Sequence, residues 1–118
     1  MYTLNDAKLD CLKEFKSLGL GAPNPLWLDT IIKSIVEDYY KQPFVLNGTL
    51  AEVGLKIDRD GNIPINDKFA KDIIVNSVME IYYNDIDEDM MNDYGTEVVL
   101  ATKAYNDFLL SKEDNEDG

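Results

Sequence analysis

The sequence predicts a mainly α protein: a four-helix core with a short β-hairpin inserted between the second and third helices. Three observations lead there. Apolar residues recur at spacings of three and four in four separate stretches, the pattern of helices that bury one face. Capping residues, glycine or proline bound those stretches. The one long interval between them, residues 43–65, replaces helical spacing with short apolar runs and turn dipeptides.

Thr3-Leu4-Asn5-Asp6 fits a capping box, with Thr3 as N-cap and Asp6 reaching back to it. Leu4, Ala7, Cys11, Phe15 and Leu18 then form one apolar stripe, and Gly19 is placed to end the helix. Gly21-Ala22-Pro23-Asn24-Pro25 reads as a loop. A second helix is expected from near Leu26, with Leu28, Ile31, Ile32, Ile35, Val36 and Tyr39 on its buried face. Pro43 stops it, because proline disfavours the helical conformation in the residue before it. Phe44-Val45-Leu46, Val53 to Ile57 and Ile63 to Ile65 read as two or three short strands. Asn47-Gly48 is a turn, and the hairpin tip falls at Asp60-Gly61. Pro64 suits an edge.

Asn66 or Asp67 caps the third helix, whose apolar positions are Ala70, Ile73, Ile74, Val78, Ile81 and Tyr82. Residues 84–93 are acidic and read as a loop or a short helix. Asp93 or Thr96 starts the last helix, with Val99, Leu100, Ala104, Tyr105 and Phe108 as its stripe. The predicted organisation is one helical domain over residues 1–110 and an acidic C-terminal tail over 111–118, mobile in the isolated chain. No apolar run is long enough to cross a bilayer, and the N-terminal residues lack the blocks of a signal peptide. A cytoplasmic site of synthesis is expected.

The 118 residues carry a formal net charge of −12, unevenly placed. Residues 1–71 hold ten acids and nine bases, whereas residues 72–118 hold thirteen acids and only Lys103 and Lys112. Such a surface repels nucleic acid and attracts basic protein surfaces. Sequence-specific DNA reading is disfavoured, because phosphate neutralisation supplies most of that affinity.

The chain contains no histidine. Ser-His and Cys-His catalysis are therefore excluded, and zinc has a poor donor set. Cys11, the single cysteine, lies in an apolar stripe and reads as a small hydrophobe. Lys56 to Asp67 has part of the pattern of a calcium loop. Aligned on Gly61, Asp58, Asp60 and Asp67 fall on ligand positions, but Lys56 occupies the first, and an ammonium cannot ligate a cation. A plain turn is the better reading. Asp85, Asp87, Glu88, Asp89 and Asp93 read as a solvated acidic connection, since no metal or paired-acid spacing accompanies them. No cofactor is implied, and no enzyme activity is expected. Met90 and Met91 either pin this segment to the core or form an adaptable contact. Adjacent helical residues point about 100° apart, so one tyrosine of each pair, Tyr39-Tyr40 and Tyr82-Tyr83, is expected at the surface. Tyr40 and Tyr83 are the candidate subunit-interface residues, or else half-buried rings with wet hydroxyls.

In this order of elements the chain resembles the head-to-tail adaptor (connector) proteins of tailed phages, tail tubular protein A and the adaptors of short-tailed phages in particular. The matching features are the Leu18-Gly19 turn after the first helix and the aromatic end of the second, Ile31 to Tyr40, leading into Phe44-Val45-Leu46. They continue in the third helix, Phe69 to Tyr83, and in the last, Val98 to Asn106, with its terminal tyrosine. The likeness spans roughly residues 3–110. The middle β segment is shorter here, and so is the C-terminal tail.

The resemblance implies a homo-oligomeric, dodecameric ring in the virion, assembled in the host cytoplasm at the head-tail junction. It would bind the portal protein above and the tail nozzle protein below, and genomic DNA would pass without sequence-specific contact. Phe108, Leu109, Leu110, Ser111 and Lys112 become the candidate portal-docking segment. Asp85, Asp87, Glu88, Asp89 and Asp93 become a candidate channel or partner surface. The competing expectation is an acidic DNA mimic that inhibits a host nuclease or other DNA-binding enzyme.

Overall fold

The computed structural model describes residues 1–37 and 56–117, and the backbone alone at 109, 110 and 112–117. Among the described residues the chain forms four α-helices: α1 (Leu4–Ser17), α2 (Pro25–Glu37), α3 (Asp67–Tyr83) and α4 (Glu88–Asp117).

The start of α1 is the expected capping box. The Asp6 amide donates to Thr3 Oγ1 at 3.1 Å, and the Thr3 amide donates to Asp6 Oδ2 at 3.0 Å. Two amides that have no partner inside the helix are thereby satisfied. Gly19 closes α1 with a positive φ of 73°, a conformation that costs glycine nothing. Asn24 starts α2, its carboxamide oxygen accepting from the Leu26 amide at 2.8 Å. Lys8 of α1 and Lys33 of α2 both reach Asp29, at 2.8 and 3.0 Å. Their hydrogen bonds, Lys8 first, hold the Asp29 carboxyl below its ordinary range.

α3 is the axis of the fold. Asn66 caps it, its side chain accepting from the Lys68 amide. Ala70, Ile73, Ile74, Val75, Ser77, Val78, Met79 and Tyr83 are all buried, which covers most of the helix circumference. A helix apolar nearly all round is stable only when neighbours enclose it. Among the four described helices, α1 and α2 pack on α3 and on each other, while α4 packs on α3. Phe15 of α1 meets Tyr82 of α3 edge to face, with ring centroids 4.9 Å apart.

Three expectations change. The Asp58–Asn62 turn is present, with Gly61 at φ +81°, but no strand forms among the described residues. Beyond the turn the backbone bonds to the N-terminal arm. The Leu4 amide donates to the Gly61 carbonyl at 2.7 Å, and the Ile63 amide to the Tyr2 carbonyl at 2.9 Å. Residues 2–4 thus supply backbone partners for this segment, while Ile63 and Ile65 bury their side chains in the core. The expected features at Tyr39, Tyr40, Pro43, Phe44 to Leu46, Asn47-Gly48 and Val53 to Leu55 lie outside the described residues.

The last helix starts at Glu88 rather than at Asp93 or Thr96, because Asp87 caps it. The Met90 amide donates to Asp87 Oδ1 at 3.1 Å, and the Met91 amide donates to the Asp87 carbonyl. Glu88 and Asp89 then occupy the first turn, where negative charge favours the helix. The α4 backbone runs through residue 110 to Asp117 without a break. Its stripe is also rotated from the expected one. Val98, Thr102 and Tyr105 face inward, whereas Val99 and Leu100 are 65% and 56% exposed.

Truncation of Ile73, fully buried on α3, is expected to cost about 2–5 kcal/mol through lost transfer energy and the cavity left behind. Thr3→Ala is expected to cost about 1 kcal/mol through the lost cap. Urea unfolding checks both: the midpoints fall and the slope stays constant.

Candidate functional site

The outer side of α4 is exposed, and its position is set by how α4 is held. Two aromatic contacts hold the helix to α3. Near its start, Tyr94 stacks on Tyr83 at 6.0 Å with an interplanar angle of 8°. Farther along, Phe69 of α3 meets both Tyr105 and Phe108, each at 5.2 Å. Between them, Gly95 lets the Glu80 carboxylate lie close over α4; a Cβ there would stand 3.2 Å from Glu80 Oε2. Burial raises the Glu80 carboxyl above its ordinary value.

One polar link joins α4 to α1: the Tyr94 hydroxyl donates to Glu14 Oε1 at 2.9 Å. A similar bond ties the N-terminal arm to α1, from the Tyr2 hydroxyl to Asp10 Oδ2 at 2.6 Å. Burial first, and then the carboxylate partner, holds both phenols protonated well above their ordinary value of 10.0.

With both inner contacts facing α3, the opposite side of α4 is left to solvent. Asp93, Glu97, Leu100, Ala104 and Asp107 recur there at steps of four and three and are all exposed. Val99 and Lys103 flank this stripe. Asp93 and Glu97 also edge a shallow depression of about 370 Å³, shared with Met90, Tyr94 and Thr96. The stripe was not picked out from the sequence. Its four-three spacing is readable once the helix is known to start at Glu88.

The other predicted site residues divide. Asp85, Asp87, Glu88, Asp89 and Asp93 are all exposed around the α3–α4 turn and the start of α4. Asp87 is engaged as a cap, so part of this cluster has a structural role. Tyr83, expected at a subunit interface, is only 8% exposed. It is enclosed by Tyr82 and Tyr94 of the same chain, and Tyr82 is the partly exposed member of the pair. Phe108, expected in a docking segment, is half-buried against Phe69 and Tyr105. Ser111 is exposed; Leu109, Leu110 and Lys112 continue the helix, and their side chains lie outside the described residues, as does Tyr40.

The turn tested as a calcium loop is internally bonded. Asp58 Oδ1 accepts from the Asp60 and Asn62 amides at 2.9 Å, and its Oδ2 accepts from Asn62 Nδ2 at 3.0 Å. Among the described residues no three carboxylate or thiol groups converge as metal ligands. None of the helices is long and apolar enough to cross a membrane, again among the described residues. Compared with known proteins, the chain matches no family model, no curated protein and no solved structure.

Cys11 is fully buried, and burial pushes its thiol up to about 12. A thiol reagent such as Ellman's is expected to leave the native protein unmodified and to titrate one thiol after unfolding in urea. Tyr2 and Tyr94, with their carboxylate partners, also weaken the fold at alkaline pH. Their contribution to stability is complete below their unfolded value near pH 10 and is lost as the pH climbs above it. Tyr94→Phe is expected to cost about 1–2 kcal/mol at pH 7 through the lost bond to Glu14. It should also shrink the loss of stability between pH 9 and 11, which thermal unfolding across that range measures.

Proposed function

We propose that this chain is a structural subunit of a head-to-tail adaptor, copies of which form a ring that joins the portal to the tail of a virus particle and extends the DNA channel. The observation that supports this best is the placement of α4. It is about 45 Å long by its rise per residue. It lies on one side of α3 and turns an acid-bearing face away from the core. The nearly neutral N-terminal helices form the other side. The exposed acids around the start of α4, Asp85, Asp87, Glu88 and Asp89, face the channel on this reading; they repel the phosphate backbone, so DNA slides past without adhering. The last turns of α4, from Leu109 onward, are the segment that docks on the portal. On this reading the chain works by assembly rather than by catalysis.

A second reading has its own observation. The five exposed carboxylates around the α3–α4 turn, Asp85, Asp87, Glu88, Asp89 and Asp93, form a compact negative patch of the kind that blocks a basic DNA-binding groove. Against it stands the mixed surface of α1 and α2, where Lys8, Asp29 and Lys33 pair. A mimic needs acids over most of the face it presents.

Quantitative mass spectrometry of purified particles from the source system separates the two. The adaptor reading expects the chain in particles at a fixed ratio to the portal protein. Absence from particles, with abundant free protein early in infection, would refute the adaptor and favour the mimic.

A further inference from the structure

We infer that α1 and α4 carry the two halves of a head-to-tail contact between copies of this chain: the Leu9-Lys13-Lys16 stripe of one copy docks on the Asp93-Glu97-Leu100-Asp107 stripe of the next. This deepens the ring reading by naming the surfaces that meet.

The two stripes oppose in charge. On α1, Leu9, Lys13 and Lys16 recur at steps of four and three and are all exposed, Leu9 by 50%. The only acid nearby on that face, Asp6, is engaged by the Thr3 amide at the helix start. On α4, Leu100 is 56% exposed and has Asp93, Glu97 and Asp107 around it, with Ala104 between. Lys103 is the one base on that side and stands toward Val99. Each stripe is therefore an exposed leucine set among charges, cationic on α1 and anionic on α4. The depression edged by Asp93 and Glu97 offers an apolar side chain a seat beside Met90.

The chain cannot satisfy this pair by itself. Both helices pack on α3, but their backbones do not approach each other within 8 Å. The residue of α1 that does reach α4 is Glu14, which points inward to Tyr94, away from the Leu9 stripe. Surfaces that complement each other yet lie apart on one molecule make heterologous contacts, which generate rings or filaments rather than closed pairs. Each stripe spans about 10–20 Å of helix, so one contact buries less than the area of a standard stable interface. A single contact is weak, and closure of a ring multiplies it.

Cross-linking reads a weak contact directly. Leu9→Cys and Leu100→Cys are made separately and together, and treated with a short bismaleimide; the buried Cys11 does not compete. Neither single variant is expected to cross-link with itself. Their mixture is expected to give dimers that stop at two, and the double variant a ladder. Lys13→Glu with Lys16→Glu in the Leu9→Cys chain should cut the dimer yield about tenfold, as opposed charges become like charges. Asp93→Lys with Glu97→Lys in the Leu100→Cys chain should restore it. Circular dichroism verifies that each variant is folded.

Equal yields from single variants and mixture, a yield indifferent to the charge reversals, or no cross-link at all would each overturn the inference. Its failure is distinct from failure of the adaptor reading. A ladder from a protein absent from particles refutes the adaptor and leaves the contact standing. No ladder from a protein present in particles refutes the contact alone.

Discussion

Everything described here depends on the enclosure of α3. Ile73, Ile74, Val78 and Met79 are fully buried, and Val75 and Ser77 are nearly so. No single neighbour can cover a helix on that many sides. α1 and α2 form one wall, cross-braced by the Lys8–Asp29–Lys33 ion pairs, and α4 forms the other. Because such ion pairs contribute little in water, the wall is held chiefly by burial of Phe15, Leu28, Ile32 and Ile35 against α3. The consequence for function is asymmetry. Among the described helices α1 and α2 share a neighbour in each other, whereas α4 packs on α3, so the outer side of a long helix is exposed.

The charge distribution follows the same division. Acids at the start of α4 are favourable, since Asp87 caps it and Glu88 and Asp89 meet the positive end of the helix dipole. Acids at the far end are not. The last turn contains no base, and Glu113, Asp114, Glu116 and Asp117 stand at the negative end. Each such charge opposes the helix by roughly 0.3–1 kcal/mol in isolation, and a cationic surface relieves it.

Much of the fold was legible in the sequence, for reasons particular residues make plain. Thr3 and Asp6 formed the expected capping box, Gly19 ended α1, and Asn66 capped α3. In each case the signal is local chemistry that neighbours do not override. The register of α4 was not legible, because Val98-Val99-Leu100 places three apolar residues in a row, and their order alone does not say which one faces inward. The partner that decides it, Phe69 of α3, is far away in sequence. The start of α4 was obscured by the density of acids, among which Asp87 is a cap and its neighbours are not. The Ile63 to Ile65 stretch looked like half a hairpin and found its backbone partner at residues 2–4, a pairing no turn signal announces. For the candidate site, the acids around the α3–α4 turn are exposed, as a solvated connection requires. Tyr83 and Phe108 pack within the chain, because an aromatic ring at the seam between two helices is drawn into that seam.

Native-state hydrogen exchange tests the central role of α3 most directly. If enclosure of α3 holds the fold together, the amides of residues 70–79 exchange last, only through global unfolding, and their protection matches the free energy from urea unfolding. The outer turns of α4 exchange earlier. If the amides of α1 or of α4 outlast those of α3, the helix is not the axis of the structure, and the picture of α4 as a one-sided, partner-facing helix loses its basis.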